Sequence, residues 1–126
     1  AGTGWVIDAP DQLPEFVSLL KRSPKLWGDT AVLGTAGRVR DFGRLLDDEA
    51  QLVRDRLLHG SDFPFPAAPT AFAARIGAEA ARRIEQEPNL LKKDLDLKEA
   101  LGIGLASAER GYQVANAGRT ITVPVP

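Results

Sequence analysis

The first regular pattern of apolar and polar positions along the chain is a helical one. In the segment DQLPEFVSLLKR the apolar residues recur at helical spacing, and two basic side chains, Lys21 and Arg22, lie in the last turn. Pro24 cannot continue a helix, so we expect the first helix to end just before it. The apolar positions of this helix are Leu13, Phe16, Leu19 and Leu20.

The pattern then changes to alternating strand-like and helical segments. Residues 26–33, LWGDTAVL, are rich in β-forming residues and predict a short strand bounded by Gly34. The segments RVRDFGRLL and DDEAQLVRDRLL predict helices, with Asp47 or Asp48 as the N-cap of the second. The run RLLHG predicts a second short strand, which ends in the loop SDFPFP.

Helical patterns occupy the rest of the chain. Residues 70–86, TAFAARIGAEAARRIEQ, have high helix propensity, and Thr70 is the expected N-cap. After EPN, the segment LLKKDLDLKEALG predicts a helix that ends at Gly102. Its predicted apolar side carries Leu91, Leu95 and Leu101. A weaker helix, LASAERGYQVANAG, and an extended tail, RTITVPVP, follow.

This order of elements predicts an α/β protein. Strands separated by helical patterns are typical of parallel strands joined by crossover helices. Two parallel strands make a poor sheet by themselves, because such strands are usually buried on both faces within a larger sheet. We therefore expect either a helix-dominated domain or part of a larger sheet whose other strands lie outside these residues.

Composition and charge exclude several classes of protein. The 126 residues, of which 44% are hydrophobic and 26% charged, suit one small domain with its own core. A net charge of -1 gives no general attraction to nucleic acid or to an anionic membrane. The absence of Cys excludes disulfides and Cys-ligated zinc. With no apolar run of membrane-spanning length and no signal-peptide pattern, we expect a cytoplasmic protein.

The stretch RLLHGSDFPFP carries the most specific pattern in the chain. It resembles the last strand and following loop of the metal-dependent amidohydrolase superfamily, in the branch that includes aromatic-acid decarboxylases. That strand has the form Leu-Leu-aromatic-Gly-Ser/Thr-Asp-Phe/Tyr-Pro. PEFVSLLKRSPKLWGDTAVL is similar to the family's penultimate helix and strand, and EPNLLKKDLDLKEALGI to the helix after the last strand. The resemblance extends to about residue 116.

The resemblance implies a fold and a chemistry. Residues 1–126 would be the C-terminal portion of a (β/α)₈ TIM barrel, with its last two or three βα units and the C-terminal helices. A whole barrel needs about 250 residues. The implied reaction is zinc-dependent hydrolysis, or non-oxidative decarboxylation, of a small carboxylic, amide or lactone substrate. The family's paired metal-binding histidines have no counterpart, because His59 is the only histidine, so we expect this fragment alone to be inactive.

The candidate site residues surround the end of the second strand. By the resemblance, Asp62 binds the metal and takes a proton from the metal-bound water; its alternative role is to cap the loop. Phe63 and Phe65 would wall a substrate pocket, or else pack against a neighbouring helix. Asp29, inside the first strand, would line the pocket or have a structural role. His59 is expected to be packed, because it and Asp62 point to opposite faces of a strand.

The alternative to an enzyme fragment is a non-catalytic protein. A truncated barrel, or a helix-rich binding domain that shares only the strand–loop pattern, would have to cover exposed strand edges and apolar faces. The expected partners are therefore a small-molecule substrate and either the missing N-terminal portion of the barrel or a second copy of the chain. We expect the isolated chain to form a homo-oligomer and to bind neither nucleic acid nor a membrane.

Overall fold

The computed structural model describes residues 12–61, 63–103 and 105–117. Within these ranges the chain is dominated by helices, with one pair of very short strands. The elements in chain order are α1 (Leu13–Arg22), β1 (Gly28–Asp29), a 3₁₀ turn (Ala36–Arg38), α2 (Val39–Asp48), α3 (Ala50–Arg56), β2 (Leu57–Leu58), a second 3₁₀ turn (Pro69–Phe72), α4 (Ala73–Ile76), α5 (Ala78–Glu85), α6 (Leu90–Ala100) and α7 (Ala106–Ala115). The tail predicted for residues 119–126 lies outside the described residues.

The two strands form a parallel pair connected by α2 and α3. Gly28 lies opposite Leu57 and Asp29 opposite Leu58. The predicted strand–helix–strand order and the parallel pairing are therefore confirmed. The described part of the chain contains this single pair of strands and does not itself form a barrel.

The first strand is much shorter than the predicted residues 26–33. Oδ1 of Asp29 accepts a hydrogen bond from the backbone N of Ala31 at 3.0 Å, which starts a turn directly after the strand. Within that turn Val32 has a φ of 64°, a left-handed conformation that β-branched residues rarely adopt. The extended backbone ends at Asp29 because the carboxylate of Asp29 binds the backbone N–H of Ala31, which competes with hydrogen bonding between the strands.

The hydrophobic core packs the helices against one face of the strand pair. A Cβ added to Gly28 would lie 2.5 Å from the ring of Phe16, so α1 can approach β1 because residue 28 lacks a side chain. The rings of Phe42 and Phe72 meet edge to face with centroids 6.1 Å apart. The buried core consists of Leu20, Leu33, Phe42, Leu45, Val53, Leu57, Ala67, Phe72, Ile84, Leu97 and Ile103.

The free edge of β2 is covered by α7. The guanidinium of Arg110 donates to the carbonyl O of Leu57 at 3.0 Å, and the backbone N of His59 donates to Ser107 O at 3.3 Å. The carbonyl of Leu57 and the N–H of His59 are the backbone groups that would bond to a further strand on this side. The start of α7 thus satisfies an edge that would otherwise be open.

The predicted N-cap of α3 is wrong. Asp47 and Asp48 belong to the last turn of α2, and α3 starts one residue later, after Glu49. Asp47 instead forms an ion pair with Arg75, which also donates to the carbonyl O of Gly43 at 3.0 Å. The break between α2 and α3 therefore falls at Glu49, and Asp47 pairs with a distant arginine instead of capping α3.

The single helix predicted over residues 70–86 is also wrong in detail. Thr70 lies inside a 3₁₀ turn whose N-cap is Ala68, and its hydroxyl donates to Oε2 of Glu85 at 3.0 Å. Gly77 has a φ of 85°, which interrupts the helix and separates α4 from α5. Only glycine adopts this conformation at little cost, so a single residue divides the predicted element.

The helix α6 begins and ends as predicted, but its buried side only partly matches the predicted one: Leu101 packs against the core, whereas Leu91 does not. Asn89 caps its start through Leu91 N and Lys92 N, and Gly102, with a φ of 87°, follows its end. Leu91, on the predicted apolar side, is 50% exposed, whereas the buried positions of the helix are Asp94, Leu97 and Lys98. None of the described helices has the length and apolar character needed to cross a bilayer.

Candidate functional site

The carboxyl ends of β1 and β2 lie at the same end of the strand pair, because the strands are parallel. This end is where ligands and catalytic groups are found in open parallel sheets and in βα barrels. The chain leaves β2 through His59, Gly60 and Ser61, and it leaves β1 through the turn that follows Asp29. A Cβ at Gly60 would lie 3.2 Å from the backbone N of Ala31, so the two segments are in close contact.

Gly60 is fixed from both sides by buried groups. Its backbone N donates to Oγ1 of Thr30 at 3.2 Å, and its carbonyl O accepts a hydrogen bond from Nζ of Lys98 at 2.6 Å. The Thr30 side chain is fully buried, and that of Lys98 is 1% exposed. Glycine has the largest backbone freedom of any residue, so these two contacts restrict the point at which the chain leaves β2.

A buried ion pair lies behind Gly60. Nζ of Lys98 is 2.6 Å from Oδ2 of Asp94, and that oxygen is 3.7 Å from Nε2 of His59. Asp94 and Lys98 are four residues apart on α6 and therefore lie on the same face of the helix. A Cβ at Gly34 would lie 2.7 Å from Oδ1 of Asp94, so α6 approaches the turn after β1 at a position without a side chain.

Burial shifts the protonation equilibria of this cluster. It raises the pKa of the Asp94 carboxyl, and the adjacent Lys98 ammonium acts in the opposite direction. Burial also lowers the pKa of His59, the charge of Lys98 lowers it further, and Asp94 opposes both. His59 is therefore neutral at neutral pH. Its Nδ1 is buried and has no hydrogen-bond partner among the described residues.

The structure describes three of the four residues predicted to form the site. Asp62, the predicted metal ligand and catalytic residue, lies outside the described residues, between Ser61 and Phe63 in the sequence. Phe63 and Phe65 are 62% and 52% exposed, so neither ring is buried against a neighbouring helix. Both therefore have surface that a ligand could contact, as a pocket wall requires.

Asp29 lies at the carboxyl end of β1, on the face of the strand pair opposite to the core. Gly28 and Leu57 face α1 and the core, so their neighbours Asp29 and Leu58 face the opposite side. Both are half-buried. The carboxylate of Asp29 caps the turn through Ala31 N, which is the structural alternative considered for it, and the pocket assignment remains a prediction.

Asp94 and Lys98 are the residues of the cluster that the sequence analysis did not identify. The signal was present: two opposite charges stand four residues apart in a Leu-rich helix, on the face that also carries Leu97 and Leu101. Charges on an apolar helix face indicate a buried, paired site. Counting Leu91, Leu95 and Leu101 included only one residue of this face and omitted Leu97, which is fully buried.

The described residues do not assemble a complete metal site. Among them there is no group of three or more His, Asp or Glu side chains that could hold a metal ion. Catalytic zinc sites use about three protein ligands. Asp94, the carboxylate of the buried cluster, is already bound by Lys98. A metal ion at this end of the strand pair would therefore require Asp62 together with ligands from outside the described part of the chain.

Comparisons with known proteins identify no relative of this chain. No protein-family model, no curated protein and no solved structure matches it. Any assignment of function therefore depends on the geometry at the carboxyl ends of the strands and on the sequence pattern that follows β2.

Proposed function

We propose that this chain is the C-terminal portion of a TIM-barrel, metal-dependent hydrolase of the amidohydrolase type. Its substrate would be a small carboxylic, amide or lactone compound, and non-oxidative decarboxylation is the related reaction on the same scaffold. One observation supports this most. The two parallel strands, joined by α2 and α3, have their carboxyl ends side by side, and there Thr30 and Lys98 bind the backbone of Gly60, two residues before Asp62 in the sequence. A catalytic carboxylate in a βα barrel occupies such a position.

Each candidate residue has a distinct role in this proposal. Asp62 contributes one ligand to the metal and accepts the proton of the attacking water. Zinc, when bound, would lower the pKa of that water and polarise the substrate carbonyl. The exposed rings of Phe63 and Phe65 offer apolar surface for the substrate, and Asp29 adds a carboxylate at the end of β1. The remaining ligands come from the N-terminal portion of the barrel.

The experiment uses the chain extended upstream of Ala1 through its reading frame, beside the 126-residue chain. We expect the extended protein to retain stoichiometric zinc after dialysis and the 126-residue chain to retain little. Asp62→Asn keeps the size of the side chain and removes its charge, so turnover should fall about 100-fold or more. Asp48→Asn, an exposed position at the end of α2, is the matched control and should leave turnover unchanged.

Two results would contradict the proposal. Turnover of Asp62→Asn within a few-fold of the unmodified extended protein would remove Asp62 from the chemistry. Stoichiometric zinc held by the 126-residue chain alone would mean that the ligands lie at another place in it. Assays of released carbon dioxide and of hydrolysed product on the same protein separate the decarboxylase from the hydrolase.

A second candidate is a helix-rich binding domain that associates with itself. The observation that favours it is the coverage of the β2 edge by Ser107 and Arg110, since a closed barrel needs a strand at that edge. Large apolar side chains exposed on the surface would lie in the interface. They are Leu19, Leu26, Phe63, Phe65, Leu91, Leu105 and Tyr112.

Light scattering separates the second candidate from an enzyme fragment when it is applied to both proteins. A binding domain forms a dimer or larger species whether or not the upstream segment is present, and neither protein retains zinc. A barrel fragment associates alone and loses this tendency when the upstream segment completes the fold. A cooperative monomer for the 126-residue chain would contradict both candidates.

A further inference from the structure

We infer that a cleft between α2, α3, α4 and the end of α6 binds a small organic carboxylate, with Arg54 as the residue that recognises the charge. The cleft has a volume of about 230 Å³, and its lining residues do not include Asp94, Lys98 or His59. The inference therefore concerns a site separate from the carboxyl ends of the strands, and it does not depend on the proposed function.

Most of the cleft lining is apolar. Val53 is 1% exposed and belongs to the hydrophobic core, while Leu46 and Leu101 pack against that core. Ala50 has a short side chain, and a Cβ added to Gly102 would meet no atom within 4 Å, so these two positions leave the space open. An apolar cavity of about 150 Å³ accommodates benzene. The larger volume of this cleft therefore leaves room for a ring and a carboxylate.

Two guanidinium groups line the same cleft, and they differ in their partners. Arg75 donates to the carbonyl O of Gly43 and forms an ion pair with Asp47, so its charge is already balanced. Arg54 donates to Oε1 of Gln51 at 3.1 Å, which is a neutral acceptor. Within the described part of the chain Arg54 forms no ion pair with a carboxylate. Its guanidinium therefore has donors and an unbalanced charge to offer to a bound carboxylate.

The negative groups near the cleft are already bonded. Asp55, which follows Arg54 in α3, accepts a hydrogen bond from Nε2 of Gln51 at 2.5 Å. At the end of α6 the backbone N–H groups of residues 101–103 donate to the carbonyl oxygens of residues 97–99. The partial negative charge at the end of a helix lies on carbonyl groups without a partner, so this cap reduces it. An anion beside Arg54 therefore meets little opposing charge.

Titration of the 126-residue chain with three probes, followed by amide chemical shifts, tests the inference. Benzoate combines an anion with an apolar ring, benzamide keeps the shape without the charge, and acetate keeps the charge without the ring. We expect saturable shifts with benzoate at a Kd of about 1 mM or below, and at least about 10-fold weaker binding of the other two probes. The largest shifts should occur in residues 50–54 and 100–102, with much smaller ones in α7.

Two variants and a matched control accompany the titration. Arg54→Gln removes the charge at an exposed position, so the fold should be retained, and benzoate should bind at least about 10-fold more weakly. Ala50→Leu places a larger side chain in the cleft and should abolish saturable benzoate binding. Arg22→Gln, at an exposed arginine in the last turn of α1, is the control and should leave the affinity unchanged.

Several results would overturn the inference. Benzamide binding as tightly as benzoate would mean that the charge is not recognised. Benzoate binding unaffected by Arg54→Gln or by Ala50→Leu, or reduced equally by Arg22→Gln, would mean that the cleft is not the site. The absence of saturable shifts in the unmodified chain would mean that the cleft takes no such ligand. Shifts confined to residues 59–61 would place the carboxylate at the ends of the strands instead.

Discussion

The single substitution Lys98→Met should destabilise the protein more than any surface change of the same type. Lys98 and Asp94 have side chains that are 1% and 5% exposed, so the substitution leaves a carboxylate buried without its cation. Removing one partner of such a pair costs about 3–5 kcal/mol. The hydrogen bond to Gly60 is lost in the same step and is included in that figure. Domains of this size have about 5–15 kcal/mol of stability in total, so the variant should be marginal.

Urea unfolding followed by circular dichroism measures this free energy difference. Restoring neutrality with Asp94→Asn/Lys98→Met should recover part of it, leaving a loss of about 1–3 kcal/mol because the carbonyl of Gly60 loses its ammonium donor. Lys92→Met, with its exposed ion pairs to Glu87 and Asp96, should change stability by less than about 1 kcal/mol. A loss below about 1 kcal/mol for Lys98→Met, or one no larger than that of the double variant, would refute the reasoning.

Two further predictions concern the same cluster. The folded-state pKa of His59 is lowered, so its contribution to stability is present above its unfolded pKa of about 6.5 and is lost as the pH falls through the folded value. His59→Gln should therefore reduce the fall in urea midpoint between neutral and mildly acidic pH. The raised pKa of Asp94 changes stability in the opposite direction with pH, and it does so in both the unmodified protein and the variant. An unchanged slope would show that His59 is not the titrating group. Gly34→Ala places a Cβ 2.7 Å from Asp94 Oδ1 and should lower the free energy of unfolding by about 1–3 kcal/mol. In the control Gly37→Ala the added Cβ meets no atom within 4 Å, so stability should not change. Equal effects of the two substitutions in thermal melts would contradict the close approach of α6 to Gly34.

Local patterns in the sequence predicted the order of the elements correctly. The periodic apolar residues and the Pro and Gly residues that interrupt them gave the helices now described as α1, α2, α3, α6 and α7. The alternation of strand-like and helical segments also gave the parallel pairing of the two strands. Asn89 and Gly102 mark the ends of α6, because caps act on backbone groups only a few residues away.

Predictions that needed a distant partner were less successful. Asp47 and Thr70 are good capping residues, but each bonds to a side chain far along the chain instead, Asp47 to Arg75 and Thr70 to Glu85. The strand predicted over residues 26–33 is short because Asp29 bonds to Ala31. A capping preference of about 1 kcal/mol is small enough for such contacts to override it.

The sequence by itself determined the order of the helices and strands, since this depends on the periodicity of neighbouring residues. It also predicted that the two strands run parallel, because helical segments separate them. Only the tertiary structure decided which side of α6 is buried and that Asp94 and Lys98 lie inside. The bond from Lys98 to Gly60 joins residues 38 positions apart, and its formation depends on Gly34 admitting Asp94. A buried charge is tolerated only when its partners are in place, and the partners come from separate segments that the folded chain brings together.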